Sequence, residues 1–166
     1  MTDPLADGTE AAELVSTLTA RGQTVATAES LTAGLLSATI AGIPGASVVL
    51  RGGLVVYATD LKAALAGVDP RVLGSDGPVA ASTARALAVG ASERCGADWG
   101  VGLTGVAGPD SQDGHPVGTV YLGIAGPDGV SADRLELAGD RWAIRSGAVR
   151  SAVSALLVRV RTAAAG

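Results

Sequence analysis

The sequence predicts an α/β fold: a single three-layer α/β/α domain whose mixed, mainly parallel sheet carries one antiparallel hairpin. Three observations lead there. Short β-branched runs alternate with stretches of helical spacing, the pattern of strands connected through helices. One clean turn, Gly126-Pro-Asp-Gly129, joins two strand-like runs into an antiparallel pair. The 166 residues are 48% hydrophobic but only 2% aromatic, with no phenylalanine. Such a length suits one domain able to bury about 70% of its unfolded surface, and a core of Ala, Val, Leu and Ile favours closely approaching helices and strands. Residues 1–166 are therefore read as one domain, with its core at about 9–160 and loose tails at 1–8 and 162–166.

The elements follow in order. Ala12, Leu14, Val15 and Leu18 recur at helical spacing and Arg21-Gly22 closes that helix. A β-branched run at 24–28, the turn Glu29-Ser30-Leu31-Thr32-Ala33-Gly34 and an apolar stretch at 35–40 read as strand, tight turn and helix. Pro44-Gly45-Ala46-Ser47 is a turn, and 48–57 a long strand in which Gly52-Gly53 signals a bulge or a close backbone approach. The alanine-rich stretch 78–94 predicts a helix with Pro78 in its first turn. A buried strand at 99–103 is followed by a glycine- and proline-rich segment, 104–118, too long for a plain hairpin and a candidate binding loop. Strands at 119–125 and 130–137 form the hairpin. Asp140 caps a last helix whose apolar stripe is Ile144, Ala148, Ala152, Leu156 and Val160.

Composition narrows the function. A formal net charge of −4 with dispersed charges leaves no basic stripe for nucleic acid. The single cysteine, Cys95, excludes an internal disulfide, and with the single histidine, His115, supplies no zinc-binding set. The acidic N-terminus lacks an export signal and no apolar run approaches the ~18 residues of a membrane span, so a soluble cytoplasmic protein without membrane or metal partners is expected.

One compositional feature points to chemistry. Among eleven arginines there is one lysine, Lys62. Guanidinium does not give up its proton, whereas a buried amine can act as a general base if its pKa falls from ~10.4 by some 2 to 3 units. The alternative is a surface lysine on a short amphipathic helix. Ser30 sits on a strand-to-helix turn, where it is either a nucleophile beside free backbone N–H groups or a simple N-cap. Tyr57, five residues before Lys62, could place a phenol beside the amine. Thr104-Gly105-Val106-Ala107-Gly108-Pro109 offers backbone donors after a strand. Asp110 and Asp113 read as turn formers more readily than as metal ligands. Arg141 and Arg145 share one helix face at a helix start, where they suit a phosphate or carboxylate, or else pair with Asp140 or a second subunit.

In their order, Ala28-Glu-Ser-Leu-Thr-Ala-Gly34, Pro44-Gly-Ala-Ser47, Gly52-Gly-Leu-Val-Val-Tyr57 with Lys62, Thr104-Gly-Val-Ala-Gly-Pro109, Pro116-Val-Gly-Thr-Val-Tyr121 and Gly139-Asp-Arg…Arg145 resemble the CinA C-terminal domain family. Its members include the nicotinamide mononucleotide deamidases called PncC. The resemblance implies an amidohydrolase that converts nicotinamide mononucleotide to nicotinate mononucleotide and ammonia, with Ser30 as nucleophile and Tyr57 and Lys62 as proton-transfer partners. It places Thr104 in the substrate loop. Thr32, Gly34 and Gly105 are expected beside it as substrate contacts, and the helix-start position of Arg141 and Arg145 makes them the expected phosphate ligands. No metal or organic cofactor is implied, and a homo-oligomer is expected. Two departures stand out: Ala33 replaces a glycine of the family's serine motif, and His115 a frequent lysine. A nucleotide-binding regulatory module without turnover, or an amidase for another small carboxamide, are the alternatives.

Overall fold

A computed structural model describes residues 3–164. The elements are α1 (Ala11–Arg21), β1 (Val25–Glu29), α2 (Leu35–Ala41), β2 (Leu50–Val55), α3 (Thr59–Ala64), α4 (Pro70–Ser75), α5 (Ala81–Cys95), β3 (Trp99–Gly105), β4 (Thr119–Gly126), β5 (Gly129–Glu136) and α6 (Arg141–Thr162), with a short 3-10 turn at Ala46–Val48. The sheet order is β2-β1-β3-β4-β5. β1 runs parallel to β2 and β3, while β4 is antiparallel to both β3 and β5, so it alone is reversed. This is the mixed, mainly parallel sheet that the pattern predicts.

Alternation along the central strands sorts side chains onto two faces. One face buries Val101 and Leu103 of β3 and Val120, Leu122 and Ile124 of β4 against α1, α2 and α6. The expected α6 stripe, from Ile144 to Val160, lies in that core, and Asp140 Oδ1 accepts from the Ala143 N–H at 2.8 Å as the cap. The other face presents Ala26, Ala28, Gly100, Gly102 and Gly123 to α5. There the backbones nearly touch: a Cβ on Gly100 would come within 1.9 Å of the Ala88 carbonyl oxygen, and one on Gly123 within 2.1 Å of that of Ala84.

Of the two readings of Gly52-Gly53, the close approach is found there, since a Cβ on Gly53 would strike Ser37 Oγ at 2.1 Å. The bulge lies one residue earlier, at Arg51, which the register skips between Val25 and Ala26. Other boundaries moved. α5 begins at Ala81 after an extended Ala80, so Pro78 precedes the helix, and the periodicity missed α4, which takes Pro70 in its first turn under an Asp69 cap. The N-terminal stretch is no loose tail from residue 3 onward: Ala6 is buried and the Leu5 carbonyl accepts from Thr39 Oγ1 at 3.5 Å. Near the other end Arg21 Nη1 donates to the Ala163 carbonyl at 3.1 Å. The outermost tail residues, 1–2 and 165–166, lie outside the described residues. Among the described residues no helix is long and apolar enough to cross a membrane.

Candidate active site

The carboxyl ends of β1, β2 and β3 meet at one edge, where ligands bind in open α/β sheets. β1 places Glu29 and Ser30 there, on opposite faces because neighbours on a strand alternate. The Ser30 N–H continues the ladder, donating to the Leu103 carbonyl at 2.9 Å. Its side chain turns toward the α5 face, the side of Ala28, where Lys62 arrives from α3.

Lys62 is 1% exposed, so the surface-lysine alternative fails. Its Nζ lies 3.0 Å from Ser30 Oγ and donates to the Val56 carbonyl at 2.8 Å and the Tyr57 carbonyl at 3.2 Å. Burial lowers the amine from 10.5 to about 8. Thirty-two residues separate serine and lysine in sequence, and the fold alone brings them to hydrogen-bond distance.

The expected contact between the Tyr57 phenol and the amine does not form. Tyr57 gives Lys62 its backbone carbonyl, while its ring leans out at the cleft mouth, where Arg141 Nη2 donates to the phenol oxygen at 2.9 Å.

A cleft of about 150 Å3 opens over this pair. Ser30, Tyr57, Lys62, Thr104, Gly105 and Arg141 all line it, as do Asp110 and Gln112, which sequence reasoning did not single out as substrate contacts. Thr104 is buried and donates through Oγ1 to the Pro78 carbonyl at 2.6 Å, pinning the loop to the approach of α5. Arg141 Nη1 reaches the Gly108 carbonyl at 2.5 Å.

Three expected substrate contacts lie elsewhere. Arg145 points beneath the serine turn, donating from Nε to the Leu31 carbonyl at 2.9 Å and from Nη2 to the Thr32 carbonyl at 3.1 Å. Thr32 is fully buried, and its Oγ1 has no hydrogen-bond partner among the described residues. Gly34 adopts φ 95° at the start of α2 and donates its N–H to Glu29 Oε2 at 3.1 Å. The motif is local, but only part of it faces the cleft.

Glu29 is the residue that sequence reasoning passed over. Its carboxylate, fully buried, accepts from the Gly34, Leu36 and Ser37 N–H groups, from Ser37 Oγ and from Thr27 Oγ1, at 2.9–3.1 Å. A signal existed: α2 starts at a glycine with no side-chain cap, so its free N–H groups need an acceptor from elsewhere. The α6 start shows the ordinary solution, an aspartate in place.

Comparison with known proteins decides the family. A family model for the CinA C-terminal domain matches residues 8–160. The chain belongs to this family. A CinA-like protein of Frankia casuarinae is 48% identical over 136 residues, 82% of this chain but 31% of its own length. One from Acidobacterium capsulatum is 46% identical over 80% of this chain and 32% of its own length. The chain thus spans about a third of the length of the curated relatives it matches. Crystal structures of whole comparable chains agree with the CinA fold: the competence/damage inducible protein CihA of Agrobacterium tumefaciens superposes with a TM-score of 0.89 at 32% identity, covering 98% of this chain and 99% of its own. A CinA superfamily protein of Klebsiella pneumoniae gives 0.90 at 26% identity, covering 96% and 99%.

Proposed function

We propose that this CinA domain is a serine amidohydrolase that deamidates nicotinamide mononucleotide to nicotinate mononucleotide and ammonia. The observation that supports it most is the buried Lys62 amine 3.0 Å from Ser30 Oγ. A neutral amine has two N–H donors and one lone pair. With the two N–H groups engaged by the Val56 and Tyr57 carbonyls, the lone pair is left for the serine hydroxyl. Burial brings its pKa to about 8, near working pH, where a general base is most effective.

Ser30 Oγ then attacks the carboxamide carbon as its proton passes to Lys62 Nζ. Two nearby amides are already engaged, Ser30 with the Leu103 carbonyl and Val106 with the Thr119 carbonyl. The Leu31 and Ala107 N–H groups, both at the cleft wall, are the proposed donors to the oxyanion. The C–N bond breaks as the Lys62 ammonium returns the proton to nitrogen, and ammonia leaves. Water, deprotonated by the same amine, hydrolyses the ester and Ser30 regains its proton. A cleft of this size admits one six-membered ring, leaving the ribose and phosphate toward Tyr57 and Arg141 at the mouth.

One observation favours a second reading, an amidase for another small carboxamide: with Arg145 spent on backbone carbonyls, Arg141 is the sole member of the pair left for a phosphate. Ammonia release from nicotinamide mononucleotide beside nicotinamide riboside separates the two, since equal rates remove the phosphate from recognition. Lys62→Arg keeps the charge but cannot deprotonate, and is expected to lose about 10²–10⁴-fold in kcat. Near-normal turnover in that variant would sink the proposal. In the native chain kcat/KM should rise with pH and level off above about 8.

A further inference from the structure

The arginine that sequence spacing assigns to the phosphate sits instead against the nucleophile's own turn. Residues 31–34 leave β1 through two left-handed positions, Ala33 at φ 49° and Gly34 at φ 95°. A non-glycine residue at positive φ is held against a steric cost of about 1 kcal/mol or more, so something must over-determine this conformation. Two opposite charges do. On one side the Glu29 carboxylate gathers the N–H groups of Gly34, Leu36 and Ser37. On the other the Arg145 guanidinium, from a helix 114 residues away, holds the Leu31 and Thr32 carbonyls through two separate nitrogens. Ser30 lies between these clamps.

We propose that Arg145 is a positioning residue: it fixes the turn that keeps Ser30 Oγ at Lys62, and it does not bind the phosphate. The proposal rests on Ser30 acting as nucleophile. The planar guanidinium presents a separate nitrogen to each carbonyl, Nε at 2.9 Å and Nη2 at 3.1 Å, an arrangement that the single nitrogen of an ammonium does not reproduce. Misplacing a nucleophile by about 1 Å costs on the order of 10²-fold in rate, while a ring already seated in the cleft is bound much as before. Arg145 therefore acts on kcat.

The test uses the full chain with Arg145→Met and Arg145→Lys, assayed on nicotinamide mononucleotide and nicotinamide riboside, with the rate of Ser30 labelling by a fluorophosphonate measured in parallel. Both variants should lose about 10²-fold in kcat on both substrates, with KM changed by less than about threefold. Ser30 labelling should slow in step. A KM increase confined to the mononucleotide would make Arg145 a phosphate ligand and overturn the proposal, as would unchanged kcat and labelling. If Arg145→Met does not fold, Arg145→Lys carries the same comparison. The two readings fail differently. No ammonia from the native chain removes nicotinamide mononucleotide as the substrate, yet labelling still tests the clamp. A native Ser30 inert to the probe overturns both.

Discussion

The two faces of the sheet are built on opposite rules. Toward α1, α2 and α6 the strands extend Val, Leu, Ile and Trp99 into a thick apolar layer. Toward α5 they offer alanine and glycine, and the helix backbone rests almost on the sheet. Stability on the thick face comes from volume, so removing atoms is what hurts. On the thin face it comes from the absence of volume, so adding them is. The chemistry sits at the end of the thin side: Ser30 follows Ala26 and Ala28 there, and the thin layer keeps α3 close enough for Lys62 to reach it. Glu29, one residue earlier, serves the thick side by capping α2.

Substitutions can break this contrast. Leu122→Ala on the thick face leaves a cavity and is expected to cost about 3–4 kcal/mol in denaturant unfolding; a loss below about 1 kcal/mol would mean that the layer collapses around small residues. Gly100→Ala on the thin face adds one methyl against the Ala88 carbonyl and should cost about 2–3 kcal/mol, with α5 displaced. A neutral result there would show that α5 is not seated on the strands.

A third comparison is by pH. Lys62 loses its proton near 8 in the folded protein and near 10.5 when exposed. Between those values the unfolded chain binds more protons, so stability should rise with pH across that window. Denaturation midpoints of the native chain and Lys62→Met, compared at about pH 7.5 and pH 10, check it; a slope that survives in Lys62→Met belongs to other groups. The smallest effect is on the thick side of the serine turn. Thr32→Val replaces a buried hydroxyl that has no partner and should raise stability by about 1 kcal/mol without lowering turnover. Lost turnover would return Thr32 to the site.

Legibility in the sequence followed local signals on both faces. Helices α1, α2, α5 and α6 and all five strands were readable because apolar spacing and turn residues are local. α4 was missed because six residues carry too little period, and its Pro70 was overlooked in favour of Pro78. In the site, Ser30 and Lys62 stood out by residue type. Arg145 and Tyr57 were misplaced because their partners depend on how α6 crosses the sheet edge: Arg141 meets Tyr57 across 84 positions and Arg145 meets Leu31 across 114.

The sequence by itself therefore determined the order of elements, the cap at Asp140, the small-residue composition that makes one face thin, and the single cation able to deprotonate. These depend on neighbours a few residues away, or on what a side chain is. Tertiary structure decided which groups those side chains serve. Burial lowers the Lys62 pKa, alternation at the end of β1 separates Glu29 from Ser30, and the docking of α6 turns Arg145 onto two carbonyls. Each of these is a contact between distant segments, and its energy exists only once the chain has closed around it.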